Sequence, residues 1–256
     1  MKRVVSIVPA RMGSSRFPGK PLAKLLGRSM IEHVYRRTEL CRRLDAVYVA
    51  TCDEEIRREV ESFGGRAVMT SPRHERASER VAEAVERIDA EIVVMVQGDE
   101  PMTRPEMIDS AIEPLREDPA VECVNLIRRI ESAAQLEDPN TIKVVKDLHG
   151  DALYFSRQPI PSRLPEAGGE VTFFKQVCII PFRRGLLLRY AQLPPTPLEK
   201  AEAIDMLRLL EHGHRVRLRE IEEETQAVDT PADLALVEAL MAKDPLLESY
   251  LGIEGR

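Results

Sequence analysis

Five short runs of β-branched and aliphatic residues punctuate the first half of the chain: VVSIV (4–8), AVYVAT (46–51), RAVMT (66–70), EIVVMVQ (91–97) and VECVNLI (121–127). Each is nearly unbroken in apolar character, the pattern of strands covered on both faces in a parallel sheet. Amphipathic stretches lie between them and announce their starts. Ser29-x-x-Glu32 and Thr103-x-x-Glu106 have the form of capping boxes, the second with Pro105 in its first turn. Thr196-Pro-Leu-Glu199 and Thr230-Pro-Ala-Asp233 place proline at the first helical position. The alternation predicts an α/β fold with a doubly wound, mixed but mostly parallel sheet.

The alternation lapses between about 140 and 182. IKVVKD, ALYFSR and VTFFKQVCIIPF are strand-like, and 158–170 holds three prolines and two glycines. Consecutive strands without helices between them predict a small antiparallel insert lobe or a dimerisation element. Helices near 184–192 and 197–212, a strand at 215–221 and a helix from 231 follow. No linker divides the chain, so residues 1–256 are expected to form one domain carrying that insert. The terminal GIEGR reads as a frayed end and also resembles a protease-site remnant.

Charge narrows the function. The chain is net −6, which argues against general nucleic-acid binding. Yet residues 1–31 carry seven Lys or Arg and no Asp or Glu, so positive charge is concentrated locally. The four cysteines, Cys41, Cys52, Cys123 and Cys178, lack zinc-site spacing. VVSIVPA is too short for a membrane span or a signal core, and a cytoplasmic location is expected.

The acid-free segment contains VPARMGSSRFPGKPL (8–22), placed between the first strand and the first helix. It approaches a P-loop without being one: five residues separate Gly13 from Gly19, and Pro21 stands where Ser or Thr would hold magnesium. Arg11, Arg16 and Lys20 supply charge-assisted donors suited to a triphosphate. A loop after the first strand of an α/β sheet is also where ligands bind. A solvated basic loop is the plainer alternative.

Two acidic phrases complete the set. Gln97-Gly98-Asp99-Glu100-Pro101 ends an apolar strand, so Asp99 is a candidate magnesium ligand and equally a turn aspartate. Asp229, in VDTPADL, precedes a capped helix and either favours its N-terminus or pairs with Asp99 in a metal clamp.

P-A-R-x-x-S-x-R-x-P-G-K-P, VQGDEP, ALYFSR-x-x-I-P, P-L-E-x-x-E followed by LR, and VDTPADL occur here in that order. Together they resemble the 3-deoxy-manno-octulosonate (Kdo) cytidylyltransferases, nucleotidyltransferases of glycosyltransferase-A-like fold, over about residues 3–240. The resemblance implies that Arg11, Arg16 and Lys20 hold the CTP phosphates and act in catalysis with Asp99. Pro9 and Ala10 would line the nucleotide site, and Asp99 and Asp229 would bind Mg2+. Gln97, Arg80 (in A-S-E-R), Arg157, Gln176 and Asp205 fall on acceptor-side positions, with Arg157 a candidate for the acceptor's carboxylate. A homodimer built through the insert is also implied, and the apolar CIIPF (178–182) is compatible with it.

The acceptor side departs from the family pattern. H-x-G-I-Y-G becomes Gln176-Val-Cys178-Ile-Ile180-Pro, and E-Q-L-R becomes Asp205-Met206-Leu-Arg208. Ile180 and Met206 remove two potential hydrogen bonds to sugar hydroxyls, which predicts an altered acceptor choice. The expected activity is therefore Mg-dependent transfer of CMP from CTP to a Kdo-like 2-keto-3-deoxy sugar acid. The alternatives are the same chemistry on another small anion, such as a phosphonate, and a non-catalytic nucleotide sensor. His74 remains a loop residue with an acceptor-side alternative, and Cys178 reads as a small core residue.

Overall fold

The computed structural model describes residues 3–13, 17–162 and 171–251. Arg16 and GIEGR lie outside the described residues, as does 163–170 from the proline- and glycine-bearing stretch. The chain begins with β1 (Val4–Ala10), and a single 3-10 turn at Lys20–Leu22 leads into the short hairpin β2 (Lys24–Leu25) and β3 (Arg28–Ser29). Strand and helix then alternate: α1 (Met30–Glu39), β4 (Ala46–Thr51), α2 (Glu54–Ser62), β5 (Ala67–Met69), α3 (Ala77–Glu86), β6 (Ile92–Val96) and α4 (Pro105–Glu117). Next come β7 (Val124–Arg129), α5 (Ala133–Glu137), β8 (Lys143–Lys146), β9 (Ala152–Ser156), β10 (Phe174–Val177) and β11 (Ile179–Arg183). The chain continues through α6 (Arg184–Gln192), α7 (Pro197–Glu202), α8 (Asp205–Glu211), β12 (Arg217–Glu220), α9 (Pro231–Met241) and α10 (Leu246–Leu251).

The first sheet runs β11–β6–β1–β4–β5, parallel except for β11 at one edge. Alternate residues of one strand serve two cores. Val5 and Ile7 of β1 join Val93 and Met95 of β6 under α3, α6 and α8. Val4, Val8, Val94 and Val96 turn the other way, against α1, α2 and α4. Helices thus cover both faces, and the near-continuous apolar runs are explained by that double burial. The strand order reverses at β1, flanked by β4 and β6, so the loops after β1 and β6 meet at a switch point.

The second sheet runs β12–β7–β10–β8–β9 and is antiparallel except for the β12–β7 pair. VECVNLI therefore does not extend the parallel sheet. Its strand, β7, forms the second sheet because antiparallel β11 occupies the free edge of β6. Segment 140–182 supplies β8, β9 and β10 to this sheet and β11 to the other, with Cys178 the single residue between β10 and β11. CIIPF does not face outward: Ile179, Ile180 and Phe182 are buried in the first sheet. Buried in this way, the run offers no apolar surface to a dimer.

Local signals were kept in part. Ser29 caps α1 by accepting Glu32 N at 3.4 Å, and Thr230 caps α9, with the Asp233 carboxylate returning to Thr230 N at 2.8 Å. Thr103 does not cap α4; its hydroxyl donates to Glu100 O at 2.8 Å, and Arg104 is the residue before the helix. The helix expected over 197–212 is two helices, broken at Ala203, which adopts φ +56°.

Candidate active site

A cavity of about 310 Å3 opens at the C-terminal ends of β1 and β6. Pro9, Ala10, Arg11 and Lys20 line one side, Gln97 and Asp99 the floor, and the start of α3 the far wall. Close backbone approach builds the floor. A Cβ on Gly98 would stand 2.8 Å from Pro9 O, so only glycine lets the turn after β6 lie against β1. Gln97 N is held by Cys178 O at 3.2 Å, which ties the same turn to the crossing between β10 and β11. On the other side Gly19, at φ +72°, donates to Met12 O at 3.1 Å, while Met12 N donates to Asp53 Oδ2 at 2.8 Å.

Residues 99 and 229, far apart in sequence, converge. Val228 N donates to Asp99 O at 2.9 Å. Lys20 Nζ then bonds Asp99 Oδ2 at 2.7 Å and Val228 O at 2.7 Å, and reaches Asp229 Oδ1 at 3.5 Å. The basic loop and the two acidic phrases are one cluster. Glu100, beside it, is 7% exposed, and its Oε2 has no hydrogen-bond partner among the described residues. Burial, reinforced by the Asp99 charge, pushes its carboxyl up to about 8. Lys175 on β10 faces Glu100 electrostatically, and burial lowers its ammonium pKa.

The far wall is held from behind. Asp205 Oδ2 accepts Ser78 N at 3.0 Å and Ser78 Oγ at 2.8 Å, satisfying an amide in the first turn of α3. Burial raises the Asp205 carboxyl, against the two Ser78 bonds. Arg80 is buried, and donates to Thr70 Oγ1 at 2.6 Å while also lining the cavity. Arg76 lines it too and lies 3.6 Å from Glu199, which pairs with buried Arg208 at 2.7 Å. His74 faces the same space, its Nε2 in a short contact with Glu83 Oε2.

Arg157 and Gln176 are not brought to this cavity. Arg157 Nε donates to Glu202 O at 2.6 Å and its guanidinium to Pro139 O at 2.9 Å. Gln176 Nε2 donates to buried Asn125 Oδ1 at 2.6 Å. The two family departures thought to alter acceptor choice are core residues: Ile180 is 3% exposed and Met206 fully buried. Neither side chain is placed to meet a sugar, so their inferred effect on acceptor choice loses its basis. Cys178 is half-buried between β10 and β11 rather than in the core, and desolvation drives its thiol well above its usual range.

Sequence reading missed Asp53, Arg76, Glu100 and Lys175. Asp53 and Arg76 carried a signal only as neighbours of a strand and of A-S-E-R, Glu100 lay inside VQGDEP without a role of its own, and Lys175 lies one residue from the departing Gln176.

Two convergent carboxylates with a basic loop beside them form an all-oxygen donor set of the kind magnesium takes. The Lys20 ammonium already spans both carboxylates, which shows that one cation can engage the pair. Asp99 and Asp229 therefore fit a hard divalent ion. Among the described residues no cluster of three or more His, Cys, Asp or Glu forms a complete protein cage, so substrate oxygens or water would fill the remaining positions.

The cytidylyltransferase family model matches residues 5–221. The 3-deoxy-manno-octulosonate cytidylyltransferase of Geobacter sulfurreducens is 47% identical over 243 residues, spanning 91% of this chain and 97% of that protein. The Escherichia coli protein of the same name is 42% identical over 244 residues, spanning 95% and 98%. A solved CMP:2-keto-3-deoxy-manno-octonic acid synthetase in complex with CTP superposes with a TM-score of 0.88 at 42% identity, covering 94% of this chain and 99% of that one. A cytidylyltransferase from Leptospira borgpetersenii, 16% identical, shares the fold at a TM-score of 0.63. Five ordered motifs, the fold and these likenesses agree: the chain belongs to the 3-deoxy-manno-octulosonate (Kdo) cytidylyltransferase family.

Proposed function

We propose that this chain transfers CMP from CTP to Kdo and releases pyrophosphate. The observation that carries the reading is the convergence of Lys20, Asp99 and Asp229 at one end of the cavity, because such chemistry needs cation and carboxylate sites together at a triphosphate. A Kdo hydroxyl oxygen bonds to the α-phosphorus, the bond from that phosphorus to the pyrophosphate oxygen breaks, and the hydroxyl proton passes to solvent. Arg11, Arg16 and Lys20 are the donors to the phosphates, and they offset the charge that builds on the leaving pyrophosphate. Pro9 and Ala10 present buried backbone to the nucleotide at the end of β1.

Asp99 and Asp229 would hold Mg2+, which when bound supplies charge neutralisation between phosphate and acceptor oxygens. Gln97 is the acceptor-side residue best supported by position, since it lines the cavity beside Asp99. Arg80 and Asp205 shape the opposite wall, while Arg157 and Gln176 would reach Kdo only by leaving Glu202 and Asn125. We extend the reading to a homodimer formed through the second sheet, where Leu148 and Leu153 are largely exposed. A cytoplasmic setting suits the four unpaired cysteines. No helix among the described residues is long and apolar enough to cross a membrane.

The test is purified protein with CTP, Kdo and Mg2+, followed by pyrophosphate release and chromatography of the product. One CMP-Kdo per pyrophosphate is expected, with turnover abolished by EDTA. Folded protein that releases no pyrophosphate would overturn the activity, and undiminished turnover in EDTA would overturn the metal. Sedimentation at monomer mass would overturn the dimer.

A further inference from the structure

Lys20 stands at the start of the 3-10 turn with its side chain only 12% exposed. An ammonium has three donors, and here three oxygens meet them: Asp99 Oδ2, Val228 O and Asp229 Oδ1, at 2.7, 2.7 and 3.5 Å. The group is saturated within the protein, and no donor remains for a phosphate in this arrangement. It also occupies the gap between the two carboxylates. A magnesium ion would need those oxygens at about 2.0–2.1 Å within an octahedral shell. Two cations cannot share that gap.

We propose that Lys20 is the resident cation of the Asp99–Asp229 pair, and that nucleotide phosphates draw its ammonium away before a divalent ion engages both carboxylates. This deepens the functional reading above and rests on it. The lysine serves two anionic partners in turn, the carboxylates first and the triphosphate afterwards. The exchange needs no change of backbone, because Gly19 N on Met12 O and Lys20 N on Phe17 O, at 3.1 and 3.2 Å, fix the turn while the four-carbon stem reorients. Nucleotide and metal then assist each other by the same factor, since coupling between two sites is reciprocal. The pair is also protected from carrying two adjacent negative charges unscreened while no nucleotide is bound.

The test reads metal binding rather than turnover. Mn2+ affinity of the nucleotide-free protein is measured by electron paramagnetic resonance of the free ion, in wild type, Lys20→Met and Arg76→Gln. Arg76 lines the same cavity but pairs with Glu199, so its removal reports the general field alone. Lys20→Met is expected to bind Mn2+ at least tenfold tighter than wild type, and Arg76→Gln within twofold of it. Equal affinity in wild type and Lys20→Met, or an equal gain in Arg76→Gln, overturns the proposal. Should Lys20→Met fail to fold by circular dichroism, wild type decides through its 15N-lysine ammonium signal, assigned with Lys20→Arg. Metal-free CTP is expected to shift that signal, and an unmoved signal at saturating CTP overturns the proposal. Wild-type turnover that ignores EDTA would instead sink the metal reading of the function. Turnover that needs Mg2+, with Mn2+ affinity unaltered in Lys20→Met, sinks this inference alone.

Discussion

At the C-terminal ends of β1 and β6 charged side chains converge on an open cavity, whereas around the second sheet polar side chains are taken up by a neighbouring strand or by Glu202 of α7. Lys20, Asp99 and Asp229 form the first group, and their ligand-sized space is bounded by Pro9, Gln97 and Arg80. Gln176 with Asn125, and Arg157 with Glu202, form the second. The difference follows from topology. A parallel sheet delivers every strand end to one edge, so unpaired loop groups gather there. An antiparallel sheet alternates its ends, and its polar residues find partners on a neighbouring strand, as Gln176 does, or on a covering helix, as Arg157 does. Substitutions in the first region should act on chemistry, and substitutions in the second on stability.

Asp99→Ala is the severest test of that division. It should lower kcat for CMP-Kdo formation by about 10^3-fold, the scale of losing a group that stabilises transition-state charge, with little change in melting temperature. A tenfold effect or less would remove Asp99 from the reacting centre. Gly98→Ala comes next, because the added methyl meets the Pro9 carbonyl at 2.8 Å and must displace the floor of the cavity. It should lower kcat/KM by about 10- to 100-fold through misplacement of Asp99; parity with wild type would mean that the close approach is unimportant.

Ile180→Tyr restores the family residue at a position that is 3% exposed. Overpacking should cost about 1–3 kcal/mol in denaturant unfolding and leave the KM for Kdo within about twofold of wild type. A clear fall in that KM would return Ile180 to the acceptor site. Gln176→Ala should have the smallest effect, about 1 kcal/mol of stability from the lost Asn125 bond, with the KM for CTP unmoved. A selective rise in the KM for Kdo would show that this amide serves substrate and would blur the division between the sheets.

The donor side was legible because its information is local. Strand periodicity located β1, β4, β5 and β6 to within two residues at either end, and the loop's charge and proline pattern distinguished it from a P-loop. Family resemblance added the pairing of Asp99 with Asp229, which spacing alone could not supply. What stayed hidden depended on long-range packing. Ile180 and Met206 look like altered ligands in an aligned motif, but Ile180 is buried where β11 joins the first sheet and Met206 where α8 packs into the core beneath it. His33, which has no partner visible in the sequence, is fully buried between Tyr250 OH and Leu25 O, both at 2.8 Å. Its partner on α10 lies 217 residues away and leaves no trace in the local pattern.

The break at Ala203 sets the directions of its neighbours. In an unbroken helix, residues 202 and 205 would lie three apart on one face and point together. The left-handed turn separates them. Glu202 reaches the second sheet, taking Ser156 Oγ at 2.9 Å and Arg157 N at 2.8 Å, while Asp205 reaches back to Ser78 on the cavity wall. Four residues of backbone thus act as a yoke between the two halves of the molecule. Neither the wall nor the far sheet can shift without pulling on the same short segment.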